Sequence, residues 1–230
     1  MTGATGAVGR AVVEAALDCG AWVAGSYFQD EPQAVGLRSR GVVMLQADLS
    51  DRAQARGAVA QLLQTGPLDA LVYAAGNTRD RTLLRLTDRE WDDVQKLHVD
   101  GLVACAQAVL PAMKERRGGK LVALGSLSGI IGRPGQANYS AAKAATVAFM
   151  KTLAQEAGRF GVTANVVCPG FVDSKMTRKA PPEAWERAKA DSALGTISSV
   201  EVVASFITWL LSDLCQGVTG QVFQLDSRIG

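Results

Sequence analysis

Short apolar runs alternate along this chain with longer amphipathic or alanine-rich segments. Runs of this length are typical of strands buried on both faces of a parallel sheet, and the longer segments have the length of helices. The alternation predicts a doubly wound parallel α/β sheet of Rossmann-like type, with helices on both faces. The predicted strands are Ala21–Gly25, Val42–Gln46, Ala70–Ala74, Lys120–Leu124, Thr163–Val167 and Gln221–Leu225. The predicted helices are Ala7–Cys19, Arg52–Gln64, Asp88–Glu115, Ala137–Arg159 and Val200–Leu211.

A glycine-rich loop comes before the first helix, with Gly3, Gly6 and Gly9 at intervals of three. Glycines allow the backbone to turn tightly and to approach a pyrophosphate, whose charge the helix N-terminus would hold. The strand that leads into such a loop in a doubly wound sheet is missing, because only Met1 precedes the loop that begins at Thr2. We expect either that native residues precede Met1 or that another segment fills this central slot.

Composition narrows the class of protein. The chain has 230 residues and is 48% hydrophobic, which is enough for one domain with a sizeable core. A formal net charge of +2 gives no overall field that would attract nucleic acid or a membrane surface.

The segment 175–195, which is polar and contains Pro181 and Pro182, is expected to be a lid.

Four cysteines without C-x-x-C spacing and a single histidine do not provide a common zinc site, so no metal is expected. Free thiols in a reducing compartment are the favoured interpretation. The N-terminus has no signal-peptide pattern, and no apolar run reaches the ~18 residues of a membrane span. A cytoplasmic protein is therefore expected.

Candidate chemistry begins with Tyr139 and Lys143, which stand four residues apart on one face of a predicted helix. A nearby ammonium favours phenolate, which moves the phenol pKa from about 10 toward a value useful for general acid or base catalysis. Ser126 follows a predicted strand and precedes Tyr139 by 13 residues, so its hydroxyl can share a substrate oxygen with the phenol. Ser128 is an alternative to Ser126, and both serines can also belong to an ordinary polar loop.

Ligands bind at the carboxyl ends of the strands in such sheets. Asp48 follows the strand Val42–Gln46, where it can accept a hydrogen bond from an adenine or cap the next helix. Ala74, Ala75 and Gly76 follow the next strand, where small residues either admit a cofactor or serve close packing.

The exit of the strand Ala21–Gly25 bears on the choice of cofactor. A carboxylate there would bind a 2′-hydroxyl and repel a 2′-phosphate, but the first acid is Asp30. NADP is therefore mildly favoured over NAD.

These features occur in the order and spacing of the short-chain dehydrogenase/reductases, a family that the chain resembles over essentially its whole length. It is most similar to the bacterial 3-oxoacyl-[acyl-carrier-protein] reductases in the stretches Gly76–Asp80, Gly135–Tyr139 and Cys168–Val172. The resemblance implies NADP(H)-dependent reduction of a 3-oxoacyl thioester, with an acyl-carrier protein as partner and a homotetramer as the assembly.

The resemblance also implies residue roles. Tyr139 would protonate the keto oxygen, Ser126 would polarise it, and Lys143 would hold the nicotinamide ribose and lower the Tyr139 pKa. The cofactor would contact Gly3, Thr5, Gly6, Ala7, Gly9, Asp48, Ala74, Ala75, Gly76, Tyr139, Lys143, Pro169, Gly170, Val172 and Ser174.

Some positions depart from the family pattern. His98 stands where the family has a catalytic asparagine, and it either replaces that residue in the proton relay or is structural. Tyr73 and Ala74 replace two asparagines that brace the sheet end, Ala7 replaces a glycine, and Gly6 replaces a basic residue. These departures keep a second class open, a catalytically weak partner in a mixed reductase oligomer. A reductase of another ketone, such as a polyketide intermediate, is a further alternative.

An acidic carrier protein predicts a basic patch near the pocket entrance. Lys114, Arg116, Arg117 and Lys120 are candidates for it, although they can also be the solvated end of a helix.

Overall fold

The strands of the sheet all run parallel. The computed structural model describes residues 1–174 and 177–228. Its strands are β1 (Ala24–Tyr27), β2 (Val43–Gln46), β3 (Ala70–Tyr73), β4 (Gly119–Leu124), β5 (Val162–Pro169) and β6 (Val222–Leu225). Its helices are α1 (Ala7–Asp18), α2 (Glu31–Arg38), α3 (Arg52–Leu63), α4 (Asp88–Gln95), α5 (Gly101–Glu115), α6 (Ser128–Ile131), α7 (Ala137–Gly158), α8 (Pro182–Ala190) and α9 (Val200–Leu211).

The strands form two groups, with β1 paired to β2 and the other four in the order β3-β4-β5-β6. Residues 1–4 lie between the groups: Thr2 pairs in parallel with Tyr73 of β3, and the Ala4 N–H donates to the Ser26 oxygen of β1 at 3.0 Å. The first residues of the chain therefore occupy the carboxyl end of the slot where a first strand is expected.

Helices cover both faces of the sheet, which confirms the predicted doubly wound α/β class. One face packs against α3, α5 and α7 through side chains such as Val59, Leu102 and Met150. The other packs against α1 and α9 through side chains such as Val12 and Ile207. Each fully buried side chain of this size contributes about 1.5–3 kcal/mol.

The predicted helix Asp88–Glu115 is two helices, separated by a π-helical turn at Lys96–Asp100 that contains His98. A π turn widens the helix locally, and such turns are frequent at functional sites. Helix α2 was not predicted, although Asp30 followed by Pro32 is a start signal for a helix.

Helix α8 lies in the segment predicted to be a lid, of which Lys175 and Met176 are outside the described residues. Among the residues that the structure describes, no helix has both the length and the apolar character needed to cross a bilayer.

Candidate active site

Ser126, Tyr139 and Lys143 meet at the carboxyl end of β4. Ser126 lies two residues beyond this strand, and the other two side chains stand on the first turns of α7. The Ser126 side chain lies beside the phenol of Tyr139, close enough to lower the pKa of the phenol. The Lys143 Nζ lies 5.6 Å from the centroid of the Tyr139 ring and donates to the Leu124 oxygen of β4 at 2.6 Å.

Helix packing fixes these three residues. Helix α6 leads from Ser126 toward α7, and a Cβ at Gly129 would lie 2.7 Å from the backbone carbon of Lys143, so α6 and α7 approach closely here. Asn138 is fully buried, and its Nδ2 donates to the Arg79 oxygen at 3.0 Å and to the Glu90 oxygen at 3.2 Å. The first turn of α7 is thereby tied to the loop after β3. No pattern in the sequence indicates this role of Asn138.

Ser128, the alternative to Ser126, hydrogen-bonds to the loop before α7 and not to Tyr139. Its hydroxyl donates to Gln136 Oε1 at 2.9 Å, and Gln136 Nε2 donates to Asp80 Oδ2 at 3.1 Å. Ser128 therefore closes the loop before α7, and Ser126 is the serine beside the phenol.

Burial sets the protonation of the pair. Although part of Tyr139 is accessible to solvent, burial around the phenol raises its pKa to about 12, and the neighbouring Ser126 side chain opposes this rise. Burial lowers the pKa of Lys143 to about 8, and the charge of a Cys168 thiolate would oppose this. The structure by itself shows no lowering of the Tyr139 pKa by Lys143, because burial is the largest effect on the phenol. At neutral pH the phenol therefore carries its proton.

His98 stands edge-on to Tyr139, with 5.3 Å between the ring centroids. Its Nε2 lies 2.9 Å from the Asn77 oxygen and 3.1 Å from the Asn77 nitrogen. Burial and the charge of Lys143 lower the His98 pKa to about 3, so the ring is neutral. His98 Nδ1 and Asn77 Oδ1 are buried and have no hydrogen-bond partner among the described residues.

A cavity of about 590 Å³ crosses the ends of β1, β2 and β3 and reaches Asn77, the hydrogen-bond partner of His98. Ser126, Tyr139 and Lys143 do not line it. Of the predicted cofactor residues, seven line it: Gly3, Thr5, Gly6, Asp48, Ala74, Ala75 and Gly76. Ala7 and Gly9 form the first turn of α1 beside it. Pro169 ends β5, and Gly170, Val172 and Ser174 follow it. These four residues, and Tyr139 and Lys143, lie outside this cavity.

The glycines of this cavity are required by close approaches. A Cβ at Gly3 would lie 2.9 Å from the Ala75 backbone, and the Gly3 φ of +61° is unfavourable for other residues. A Cβ at Gly9 would lie 2.1 Å from the Gly3 oxygen, and one at Gly76 would lie 2.6 Å from His98 Cε1. The wall is therefore built from backbone, as a site for a bulky dinucleotide requires.

Asp48 is not the helix cap, because Asp51 caps α3 by accepting from the Ala53 N–H at 2.7 Å. Asp48 Oδ1 instead accepts from the Ser50 N–H and hydroxyl at 2.9 and 2.7 Å, which holds the carboxylate at the cavity. The Ser26 hydroxyl, also on the cavity wall, is buried without a partner among the described residues.

Other side chains brace the end of β3 in place of the two asparagines that Tyr73 and Ala74 replace. The Tyr73 hydroxyl donates to the Leu97 oxygen of the π turn at 2.5 Å. Thr2 Oγ1 accepts from the Ala74 and Ala75 N–H groups at 3.0 and 3.3 Å. Tyr73 and Thr2 therefore take over the bracing, a role that the sequence pattern did not reveal.

Hydrogen bonds between its own residues hold the turn after β5. The Thr177 hydroxyl donates to the Val172 oxygen at 2.6 Å and accepts from the Ser174 N–H at 2.9 Å. Phe171 packs edge-on against Trp185 of α8, with ring centroids 4.8 Å apart.

The expected basic patch does not flank this pocket. Lys120 lies at the start of β4 and donates to the Cys215 oxygen at 3.0 Å, and Arg116 donates to the Leu68 oxygen at 2.8 Å. Both are at the amino end of the sheet, whereas Ser126 is at the carboxyl end. Within one chain, the expectation that these cations surround the entrance is therefore wrong.

Comparison with known proteins agrees with this geometry. A short-chain dehydrogenase family model, described as enoyl-(acyl carrier protein) reductase, matches residues 3–227. The chain is 32% identical to the 3-oxoacyl-[acyl-carrier-protein] reductases FabG of Salmonella typhimurium and Escherichia coli, over 98% of this chain and 94% of each relative. It is 33% identical to the enzyme of that name from Staphylococcus aureus, over 98% of this chain and 95% of the relative. The chain therefore belongs to the short-chain dehydrogenase/reductase family and is an oxidoreductase that uses a nicotinamide cofactor.

Proposed function

We propose that this protein reduces a 3-oxoacyl thioester to the 3-hydroxyacyl thioester with NADPH, and that the acyl group is presented by an acyl-carrier protein. The observation that carries the proposal is the placement of Ser126 beside a protonated Tyr139 at the carboxyl end of β4, with Lys143 one turn beyond. The names of the relatives support the choice of substrate.

The residues of the cavity fit a dinucleotide. The N-terminus of α1 has no side-chain cap, so the free N–H groups of its first turn can bind a pyrophosphate. The Asp48 carboxylate and the unpartnered Ser26 hydroxyl supply polar contacts at the adenosine end. When bound, the reduced nicotinamide supplies a hydride to the keto carbon.

Tyr139 acts as the general acid. Its phenol gives a proton to the keto oxygen as the carbon becomes tetrahedral, and the Ser126 hydroxyl donates a second hydrogen bond to the same oxygen. Because its pKa is about 12, the phenol is protonated across the neutral range, which is the state that reduction needs. Lys143, whose pKa is about 8, binds the ribose hydroxyls as an ammonium and favours return of a proton to Tyr139.

His98 takes the place of an asparagine in the return of that proton. His98 Nδ1 and Asn77 Oδ1 are both buried without a partner among the described residues, although the two residues bond to each other through Nε2. Buried polar atoms of this kind are suited to hold a water molecule. His98 positions this water and does not itself need to titrate, since its pKa is about 3.

The cofactor choice, the lid and the location complete the proposal. NADPH is favoured because β1 ends in Tyr27, followed by Phe28 and Gln29, without an acid.

The contact of Trp185 with Phe171 supports a lid in which α8 moves with the loop after β5. The four cysteines are free thiols, which supports a cytoplasmic location.

A homotetramer is proposed from the apolar side chains that one chain leaves exposed. Leu84 is fully exposed, Leu83 is 71% exposed and Trp209 on α9 is 42% exposed. Light scattering of the purified protein tests this, and a monomer at micromolar concentration would reject it.

Oxidation of NADPH and NADH with a 3-oxobutanoyl thioester tests the function. We expect turnover with both a carrier-linked and a carrier-free thioester, a lower KM for the carrier-linked one, and a higher kcat/KM with NADPH. A protein that binds NADPH but reduces neither thioester, while raising the activity of a homologous reductase, would be the silent partner instead. Turnover of simple ketones in preference to thioesters would reject the substrate class.

A further inference from the structure

The residues after β6 lie against the turn that follows β5. The two strands pair in parallel register up to Pro169 and Leu225, so Gly170 and Asp226 stand side by side just beyond the sheet. A Cβ at Gly170 would lie 2.7 Å from Asp226 Cγ and 2.9 Å from its Oδ2. The Asp226 carboxylate therefore fills the space that a side chain at residue 170 would need.

Arg228 holds this carboxylate in one orientation. Its Nε donates to Asp226 Oδ2 at 2.5 Å, its Nη2 pairs with the same oxygen, and its backbone N–H donates to Oδ1 at 3.2 Å. The side chains of Arg228 and Asp226 are only 10% and 12% exposed. Exposed ion pairs contribute little, whereas removal of one partner from a nearly buried pair leaves an unpaired charge. The pair is therefore a fixed contact against the turn after β5.

The same C-terminal residues bind the chain just beyond α8. The Ala193 N–H donates to the Ser227 oxygen at 2.9 Å, and the hydroxyl oxygens of Ser192 and Ser227 lie 2.5 Å apart. Ser192 also forms an antiparallel bridge with Arg228. The end of the segment predicted to be a lid is thereby tied to the end of the sheet.

Residues 226–228, which we call the C-terminal clamp, therefore bind both ends of the segment 171–191. Gly170 comes directly before this segment, and Ser192 comes directly after it. Inside the segment, an aromatic contact joins the turn after β5 to α8. With both ends held, the clamp determines where this turn lies.

The clamp also faces the loop that leads to the catalytic cluster. Arg133 lies in this loop, six residues before Tyr139. Burial and the charge of Arg228 lower the pKa of Arg133, and the charge of Asp226 opposes this. Because solvent and salt screen distant charges, groups that affect one another in this way are neighbours. The clamp and the loop before α7 therefore meet at the carboxyl end of the sheet.

Given the reductase function proposed above, we propose that Asp226 and Arg228 are positioning residues, whose ion pair fixes the turn after β5 where the nicotinamide and the thioester bind. The pair acts through Gly170 and Ser192, so its loss should let the segment 171–191 open and should weaken binding. The catalytic cluster keeps all its atoms, so proton transfer in the bound complex should change much less.

Arg228→Met tests the proposal, because it removes the charge and keeps most of the apolar stem. Trypsin can reach the exposed Arg178, Arg187 and Lys189 in the segment 171–191. Cleavage at these sites should be about 10-fold faster in the variant, since the rate follows the population of the open form. The Kd for NADPH and the KM for the 3-oxobutanoyl thioester should each rise by about 10-fold, while kcat at saturation stays within about 3-fold of native.

Asp173→Asn is the matched control. Asp173 pairs with Arg178 inside the same segment, but these side chains are 53% and 68% exposed. Cleavage in the rest of the segment and the Kd for NADPH should change by less than about 2-fold. Arg228→Lys keeps a cation beside Asp226 and should lie between the native protein and Arg228→Met in both quantities.

Native cleavage rates and a native Kd in Arg228→Met would overturn the proposal, and so would faster cleavage with a native Kd. Cleavage that accelerates equally at Arg89 of α4, an exposed site outside the segment, would indicate a general loss of stability and would overturn it too. Neither trypsin cleavage nor NADPH binding requires turnover. Failure of the proposed function would be seen instead in a native protein that binds NADPH but reduces no thioester.

Discussion

The catalytic cluster and the cofactor cavity lie side by side but are built on different principles. In the cluster the chemistry belongs to side chains, and Ser126, Tyr139 and Lys143 are held by β4, α6 and α7. In the cavity the chemistry belongs to the backbone, and Gly3, Gly9 and Gly76 serve by lacking a side chain.

This difference explains which departures from the family pattern the fold accommodates. Tyr73 can replace a bracing asparagine because its hydroxyl reaches the π turn. Gly6 replaces a basic residue and leaves the N-terminus of α1 without a side-chain cap. The cluster offers no such substitution, since each of its three side chains contributes a specific atom. Substitutions that remove a side-chain atom from the cluster should therefore lower kcat. Substitutions that add a side-chain atom to the cavity wall should lower stability and cofactor affinity.

After Tyr139→Phe, Ser126→Ala should have the largest effect in this comparison. Loss of one hydrogen bond to the developing oxyanion should lower kcat by about 10²–10³-fold, with cofactor affinity close to native. Steady-state kinetics and cofactor titration measure the two quantities. Ser128→Ala is the matched control, because that hydroxyl bonds to Gln136. A larger loss for Ser128→Ala would transfer the role to Ser128.

Gly9→Ala should be the most damaging addition. A Cβ 2.1 Å from the Gly3 oxygen must displace the glycine loop, at a cost of about 1–3 kcal/mol in the free energy of unfolding. Cofactor affinity should fall with it. Gly57→Ala is the control, because a Cβ there meets no atom within 4 Å in α3 and should stabilise the protein by about 0.5–1 kcal/mol. Urea unfolding compares them, and equal effects would refute the steric account.

His98→Asn should change the response to acid. The folded pKa of about 3 is below the ordinary 6.5, so the unfolded chain binds more protons between these values and stability falls as pH falls through this window. At pH 5 the histidine should cost about 2 kcal/mol that asparagine does not. Urea unfolding at pH 7.5 and pH 5 measures the difference between the two proteins. Parallel curves would mean that the ring is not buried in the neutral form.

The kinetics of the same variant separate the roles of His98. A kcat that is retained or increased in His98→Asn but falls in His98→Ala supports the holding of a relay water by residue 98. Loss of stability in both variants without a change in rate per folded molecule would make His98 structural.

Tyr73→Phe should have the smallest effect. It removes the hydroxyl that donates to the Leu97 oxygen, which should cost about 1–2 kcal/mol in the free energy of unfolding and leave kcat close to native. A large loss of activity without a loss of stability would show that the brace belongs to the catalytic cluster.

The sequence predicted the regular elements well and the irregular ones poorly. Apolar runs indicated six strands because a parallel sheet buried on both faces must be apolar along its length. The π turn at Lys96–Asp100 was not foreseen, because the helical pattern continues across it and the inserted residue is visible only once His98 packs against Gly76.

Side-chain chemistry was predictable for a different reason than backbone bracing. Residue type and spacing are enough to identify Tyr139 and Lys143 as candidates. Thr2 and Asn138, in contrast, act through hydrogen bonds to backbone groups far away in sequence, which no sequence pattern reveals. The high pKa of Tyr139 was also not predicted, since the burial that raises it is known only from the packed structure.

Comparison of the native protein with Tyr139→Phe tests the central claim most directly. The variant keeps the ring and loses the proton donor, so NADPH should bind with near-native affinity while reduction of the 3-oxobutanoyl thioester slows by about 10²–10⁴-fold. A Tyr139→Phe protein that binds NADPH and reduces the thioester at the native rate would contradict the assignment of Tyr139 as the acid.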